Sequence, residues 1–251
     1  MAIWQDPRTT TDRPGGVNTA TVGVPRAARD VGLRSYMLSV YNYMASGVLL
    51  TGIIAMLFAP YAGQVLISAN GRGMSGLGWI ITLSPLAIVF AMSFGMNRMR
   101  TSTLQVLFWA FAALMGLSMS TLFLAYTGAS IAQTFFATAA AYLGLSLWGY
   151  TTKRDLSGIG TFLIMGVVGL IVAMLINMFL QSSAMALGIS AIGVLLFAGL
   201  TAYDTQRIKS MYFYVQGTEM AGKTVIMGAL QLYLDFINMF QFLLSFMGNR
   251  R

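Results

Sequence analysis

Apolar residues along the chain are gathered into seven long stretches that follow a polar N-terminal region. The stretches are Tyr36–Ala59, Gly78–Met96, Thr103–Tyr126, Ile131–Tyr150, Ile159–Leu180, Ala184–Tyr203 and Thr224–Met247. Each is close to the about 20 residues that an α-helix needs to cross a bilayer. Pro60 follows the first stretch and is expected to end its helix. The pattern predicts an all-α membrane protein, a bundle of seven transmembrane helices joined by mostly short connections.

Basic residues are concentrated on alternate connections between these stretches. The N-terminal region and the second, fourth and sixth connections carry Arg8, Arg13, Arg26, Arg29, Arg34, Arg98, Arg100, Lys153, Arg154, Arg207, Lys209 and Lys223. The other connections carry Arg72 alone. Because cytoplasmic loops of membrane proteins are enriched in Lys and Arg, the N-terminus is predicted to be cytoplasmic. Seven spans then place the C-terminus outside, although Arg250 and Arg251 at that end favour the opposite side.

The N-terminal region, residues 1–35, is polar and rich in Thr, Gly, Pro and Arg. It lacks the apolar core and the small-residue cleavage site of a signal peptide. The sequence therefore predicts two parts, a mobile basic arm over residues 1–35 and a transmembrane domain over residues 36–251. Within the arm, residues 24–34 could form a short surface helix.

The composition agrees with a membrane protein and limits the metal sites, nucleophiles and proton-sensing groups that the protein can contain. Of the 251 residues, 57% are hydrophobic and 9% are charged, and the mean hydropathy is +0.73, whereas soluble domains carry about 25% charged residues. The chain has no Cys and no His, which excludes disulfides, thiolate or imidazole metal sites and a Cys nucleophile. Because His is the usual switch near neutral pH, proton sensing must come from carboxyl groups.

The net charge of +8 points to anionic partners. Because the basic side chains lie in short connections and in the arm, we expect them to orient the protein and to contact lipid headgroups. Nucleic acid binding is not expected. The sequence has no Gly-rich phosphate-binding loop and no hydrolase-type Ser or Thr motif, so the protein is not expected to be an enzyme or to hold a cofactor tightly.

Two of the seven acidic residues, Asp204 and Asp235, lie inside the hydrophobic part of the chain. An acid at the middle of a membrane helix costs roughly 2.5–3.5 kcal/mol to insert, so a chain that keeps one is expected to use it. Asp235 lies roughly 16–18 Å from each end of its stretch at 1.5 Å per residue. No basic residue accompanies it there. It therefore needs a partner from another helix or a proton, because loss of water favours the neutral carboxyl.

Other polar residues accompany Asp235 on the last stretch. Gln231, Asp235 and Asn238 recur at intervals of three or four residues, which puts them on one helix face with Gln241 at its edge. Such a face either forms hydrogen bonds that hold the bundle together or lines a water-filled path through it.

Asp204 and Arg98 lie near the predicted cytoplasmic surface, and each allows two interpretations. Asp204 is either an interfacial acid paired with Arg207, one turn further on, or an acid that faces Asp235 across the sixth and seventh helices. The sixth helix could also run on to Tyr212, which would place Asp204 deeper. Arg98 is either an anchor to lipid headgroups or an interior cation that pairs with Asp204.

The segments around these acids carry a resemblance to a known family. The stretches Gly199–Lys209 and Ala229–Asn238 are similar to signatures of the Bax inhibitor family, the transmembrane Bax-inhibitor-motif proteins, and most of all to its bacterial members. Phe108–Ser118 and Lys153–Ser157 also resemble it. The resemblance covers residues 36–248, so the arm lies outside it.

The resemblance implies a central seventh helix wrapped by the other six and a pH-sensitive calcium leak channel in the bacterial inner membrane. It implies that Asp204 and Asp235 share protons as pH sensor and gate, and that Arg98 latches one of them. Calcium is then the permeant ion, bound weakly and transiently by the two aspartates with help from Asn238, because Ca²⁺ usually takes about six to eight oxygens.

Two other functions remain as alternatives. In one, the protein is a non-transporting regulator that binds a membrane protease or another membrane protein, and residues 1–35 form the docking element. In the other, it is a proton-coupled carrier, although the sequence has no evident internal repeat of the kind many carriers contain. Membrane lipid, calcium ions and a membrane protease are therefore the candidate partners.

Overall fold

The computed structural model describes residues 26–68 and 73–250, with side chains from residue 31 onward. It contains eight helices in that part of the chain: α1 Arg26–Leu66, α2 Gly76–Gly95, α3 Thr101–Met119, α4 Leu122–Ala125, α5 Gly128–Thr151, α6 Ser157–Leu180, α7 Ser183–Val215 and α8 Met220–Met247. The short α4 continues α3 into one span, so seven spans result. The predicted all-α class and the seven transmembrane helices are confirmed.

Helix α8 is the centre of the bundle. In its most apolar window 61% of the residues are buried, against at most 33% in any other span. It packs against α1, α3, α5 and α7, whereas α2 packs chiefly on α3 and α6 on α7. Tyr233 of α8 is fully buried, lies edge-on to Phe108 and Phe111 of α3, and is hydrogen-bonded to Thr51 of α1 at 2.6 Å. The predicted central position of the last helix is therefore confirmed.

The first helix is longer than predicted at both ends. It begins at Arg26 rather than Tyr36 and continues through Pro60 to Leu66, so the prediction that Pro60 ends it was wrong. A proline removes one backbone donor from a helix, but Ala62 and Leu66 beyond it are fully buried, and their packing stabilises the continuation. Residues 1–25 of the predicted arm lie outside the described residues, as does Arg72.

Helix α7 also runs further than the apolar pattern indicated. The apolar stretch ends at Tyr203, but the helix ends at Val215, in agreement with the longer of the two alternatives. Its polar last turns are held by aromatic contacts, because Tyr212 packs on Tyr36 with ring centroids 5.4 Å apart. The 33-residue helix is about 50 Å long at 1.5 Å per residue and exceeds the about 30 Å hydrocarbon core.

The two ends of the bundle differ in charge. The α2–α3, α5–α6 and α7–α8 connections and the start of α1 lie at one end, here named the basic face, because they carry most of the basic residues. The residues that follow α8, Asn249 and Arg250, lie at the opposite face beside the α4–α5 connection. There Asn249 N–H donates to Ser130 Oγ at 2.9 Å, and Arg250 lies over the ring of Tyr126. The ring contact with Tyr126 gives Arg250 a favourable position at this face, although the charge pattern favoured the basic face for it.

The close approach of α5 to α7 provides a test of the packing. A Cβ added to Gly149 would overlap the backbone carbonyl of Ala202, whereas a Cβ on Gly144 of the same helix would meet nothing. We expect Gly149→Ala to destabilise the protein by about 1–3 kcal/mol, the usual cost of overpacking, and Gly144→Ala to have little effect. Thermal unfolding in detergent measures both, and equal melting temperatures for the two variants would contradict the close approach.

Candidate functional site

The two intramembrane acids are buried side by side in the centre of the bundle. Asp204 lies on α7 and is 3% exposed, and Asp235 lies on α8 and is 4% exposed. Asp204 is about 16 Å before the last residue of α7 at 1.5 Å per residue, which is deeper than an acid at the end of an apolar stretch would be. The extension of α7 to Val215 is the reason for this depth.

The side chains of Asp204 and Asp235 lie close enough to interact across α7 and α8. One oxygen of each, Oδ1 of Asp204 and Oδ2 of Asp235, is buried without a hydrogen-bond partner among the described residues. Two ionised carboxylates repel each other, and a carboxylate has no donor, so a hydrogen bond between the two groups would require a proton on one of them. The site is therefore a close pair of buried acids from two helices, and a shared proton is the hypothesis that this pair raises.

Two further predicted residues border this aspartate pair. The side chain of Gln231, one turn before Asp235 on α8, lies near enough to the carboxyl group of Asp204 to act on it. Arg207 is exposed, yet it lies near enough for its charge to act on Asp204. The two interpretations of Asp204 are thus compatible, because it faces Asp235 inside the bundle and interacts with Arg207 at longer range.

Arg98 does not join the pair in this structure. It lies in the exposed turn after α2, where its N–H donates to Gly95 O at 2.9 Å. Among the described residues, Arg207 is the basic group whose charge acts on Asp204. Because α2 packs on α1 and α3 at the outside of the bundle, a latch between Arg98 and Asp204 would require movement of α2, and the role stays a hypothesis.

The polar face of α8 is divided between two places. Asp235 belongs to the aspartate pair and Gln231 lies beside it. Asn238 and Gln241 instead line a separate cavity of about 480 Å³ between α6, α7 and α8. Asn177, Ser190 and Ser245 contribute further polar groups to its wall, and Ser190 Oγ donates to Ser245 Oγ at 3.0 Å. This cavity lies toward the opposite face and ends one helical turn from Asp235.

A row of hydroxyl groups on α5 was missed in the sequence. The buried residues Ser130, Thr134, Thr138, Tyr142 and Ser146 recur at every fourth position, a spacing that places them on one helix face and that could have been recognised. Ser146 Oγ is hydrogen-bonded to Tyr41 at 2.6 Å and to Thr205, the neighbour of Asp204, at 3.0 Å. The row therefore approaches the aspartate pair.

Tyr142 is the member of this row that interacts electrostatically with both aspartates. Its side chain is 3% exposed, its hydroxyl has no hydrogen-bond partner among the described residues, and the charges of Asp204 and Asp235 both act on it. Its ring packs edge-on to Phe236, the residue after Asp235. Tyr142 is thus a neutral donor beside two acids.

The described residues hold no group of three or more Asp, Glu, His or Cys side chains that could bind a metal ion. The two aspartates can supply at most four carboxylate oxygens, fewer than the about six to eight that Ca²⁺ usually takes. The pair fits transient attraction of a cation and exchange of a proton better than storage of a metal.

Fold and site together define a multi-pass helical membrane protein built around a buried aspartate pair. A family model described as "Inhibitor of apoptosis-promoting Bax1" matches residues 33–251. The chain is 47% identical over 222 residues to protein RP147 of Rickettsia prowazekii, covering 88% of this chain and 92% of the relative. It is 43% identical over 230 residues to inner membrane protein YbhL of Escherichia coli, covering 90% and 95%. The chain belongs to the Bax inhibitor family, as the resemblance predicted.

The shared proton can be tested by infrared spectroscopy of the purified protein at neutral pH. We expect a C=O stretching band of a protonated carboxyl group that shifts in D₂O and is lost when Asp204→Asn and Asp235→Asn are combined. Asp155→Asn is the matched control, because Asp155 is exposed and hydrogen bonds from Ser157 lower the pKa of its carboxyl. A wild-type spectrum without this band would contradict the geometry.

Proposed function

We propose that this protein is a pH-sensitive calcium leak channel of the bacterial inner membrane, gated by Asp204 and Asp235. The observation that carries the proposal is the contact between two carboxyl groups from different helices at the buried centre of the bundle. A purely structural hydrogen bond could be made by neutral side chains without the insertion cost of two acids, about 2.5–3.5 kcal/mol each at a helix centre.

The proposed path joins the two faces of the bundle through the pair. From the opposite face a cation would enter the cavity bordered by Asn238 and Gln241, which is open and partly polar. It would then pass Asp235 and Asp204 and leave along Gln231 toward the basic face. The connection between cavity and pair is about one helical turn, so a small displacement of α7 or α8 would open it.

Protons and calcium compete for the same oxygens in this mechanism. While the pair shares one proton it carries a single negative charge, and after that proton leaves it carries two. Two like charges at close range in a low-dielectric site repel each other and attract a divalent cation. Calcium flux is therefore expected to rise with increasing pH as the pair loses its proton.

The proposed membrane and orientation are supported by the relatives and by the charge pattern. YbhL is described as an inner membrane protein, and we propose the same location for this chain. The basic face, with the N-terminus, is proposed to be cytoplasmic, because cytoplasmic connections are enriched in Lys and Arg. The opposite face and the C-terminus would then be outside.

The regulator and carrier alternatives make different predictions from the channel. A regulator that docks through its N-terminal arm would lose a co-purifying membrane partner when residues 1–25, which precede α1, are removed. A channel formed by the bundle would keep its calcium flux after the same truncation. A proton-coupled carrier would move protons against calcium with a fixed ratio, whereas a leak would not.

Calcium flux into liposomes loaded with a calcium-sensitive dye tests the proposal directly. We expect Asp204→Asn combined with Asp235→Asn to reduce the flux to that of protein-free liposomes and to abolish its pH dependence, because no titratable group then remains in the path. Asp155→Asn, an exposed acid at the basic face, should behave as wild type. If the double variant keeps both the flux and its pH dependence, the proposal is wrong.

The latch role proposed for Arg98 can be separated from a general effect of surface charge. Arg98 and Arg100 are both exposed in the same turn, so Arg100→Gln is a matched control for Arg98→Gln. A latch that competes with calcium for the deprotonated pair, and contributes ~1 kcal/mol as exposed ion pairs do, would raise the flux about fivefold when removed. Equal effects of the two substitutions would exclude a latch at Arg98.

A further inference from the structure

Helices α1 and α5 border an open groove in the half of the bundle next to the basic face. The two helices are joined by the hydrogen bond between Tyr41 and Ser146. The groove has a volume of about 670 Å³, which is within the roughly 300–1,000 Å³ of small-molecule sites. Phe236 of α8 forms part of its floor, and its walls are mostly apolar, among them Met37, Leu38, Met44, Ala139, Leu143 and Leu147. An apolar molecule is the expected occupant.

The groove has the length of one leaflet of a bilayer. Along α1 it extends from Arg34 to Leu49, about 22 Å at 1.5 Å per residue, and one leaflet with its headgroup region is about 20–22 Å thick. A second apolar space of about 390 Å³ continues toward the opposite face and shares Val48, Phe135 and Phe236 with the first. These dimensions fit an acyl chain that lies parallel to α1 with its headgroup at the basic face.

One cationic side chain lines the headgroup end of the groove, and a second contacts Tyr150 in its wall. Arg34 is exposed and forms part of the wall, as does Tyr150. Lys209 of α7 lies 4.8 Å over the ring of Tyr150 and donates to its backbone oxygen at 2.7 Å. An arginine and a lysine at headgroup depth favour a phosphate with a net negative charge over a zwitterionic headgroup.

We propose that this groove binds one anionic phospholipid, with its phosphate between Arg34 and Lys209 and one acyl chain between α1 and α5. The site is distinct from the aspartate pair, and the inference does not depend on calcium permeation.

The test uses the full-length protein reconstituted in phosphatidylcholine bilayers that contain a small fraction of a probe lipid. The probe is phosphatidylglycerol or phosphatidylcholine with the same photoactivatable acyl chain, and labelled peptides are identified by mass spectrometry. We expect phosphatidylglycerol to label the α1 segment 37–49 and the α5 segment 139–147 more strongly than phosphatidylcholine does. Arg34→Gln should reduce that preference about fivefold, as expected for ~1 kcal/mol per cation at the surface, whereas Arg154→Gln, exposed at the same face, should leave it unchanged.

A second pair of variants blocks the groove itself. Ala139 lines the groove, whereas its neighbour Ala140 is exposed and lines none of the described cavities. Ala139→Trp should abolish labelling of both segments by the anionic probe, and Ala140→Trp should preserve it, with monodisperse protein in both cases as the folding control. Equal labelling by the two lipids in the wild type, or the same preference in Arg34→Gln as in the wild type, would overturn the proposal.

Discussion

The close approach of the Asp204 and Asp235 side chains is the constraint on which the packing of α7 against α8 depends. Two ionised carboxylates could not remain side by side in a region without water, since each would need a cation or several donors. A proton shared between them, as we propose, would replace this repulsion with a hydrogen bond and allow α7 and α8 to pack closely. The central helix can therefore carry an acid at its middle and still be the most buried element of the protein.

Around this pair the fold separates an apolar frame from a polar interior. The frame is held by contacts such as Tyr233 with Thr51, Phe108 and Phe111, which join α8 to α1 and α3. The polar interior lies on the other side of α8, where α7 supplies Asp204 and α5 supplies its row of hydroxyl groups. Because one helix serves both regions, a change in the pair would act directly on the packing of the bundle.

The seven spans and the two candidate aspartates could be predicted from the sequence, because length, hydropathy and rare charges are local signals, whereas the central position of the last helix was implied by the family resemblance. The sequence misled at Pro60, where burial of Leu66 continues a helix that the local rule would end. The end of α7 was left open between two alternatives, and packing of Tyr212 favours the longer one. The orientation of Tyr142 toward the acids could not be predicted, since it depends on how α5 is rotated against α7 and α8. The position of Arg98 depends in the same way on where α2 packs.

The continuity of α7 and α8 has a consequence for selectivity. Both helices pass the aspartate pair without a proline or an unwound turn, so their carbonyl oxygens there are engaged in helical hydrogen bonds and cannot replace the hydration shell of an ion. A cation at the pair would keep most of its water molecules, because two carboxylates provide too few ligands for complete dehydration. In the proposed channel, discrimination between cations would therefore rest on their charge rather than on their ionic radius.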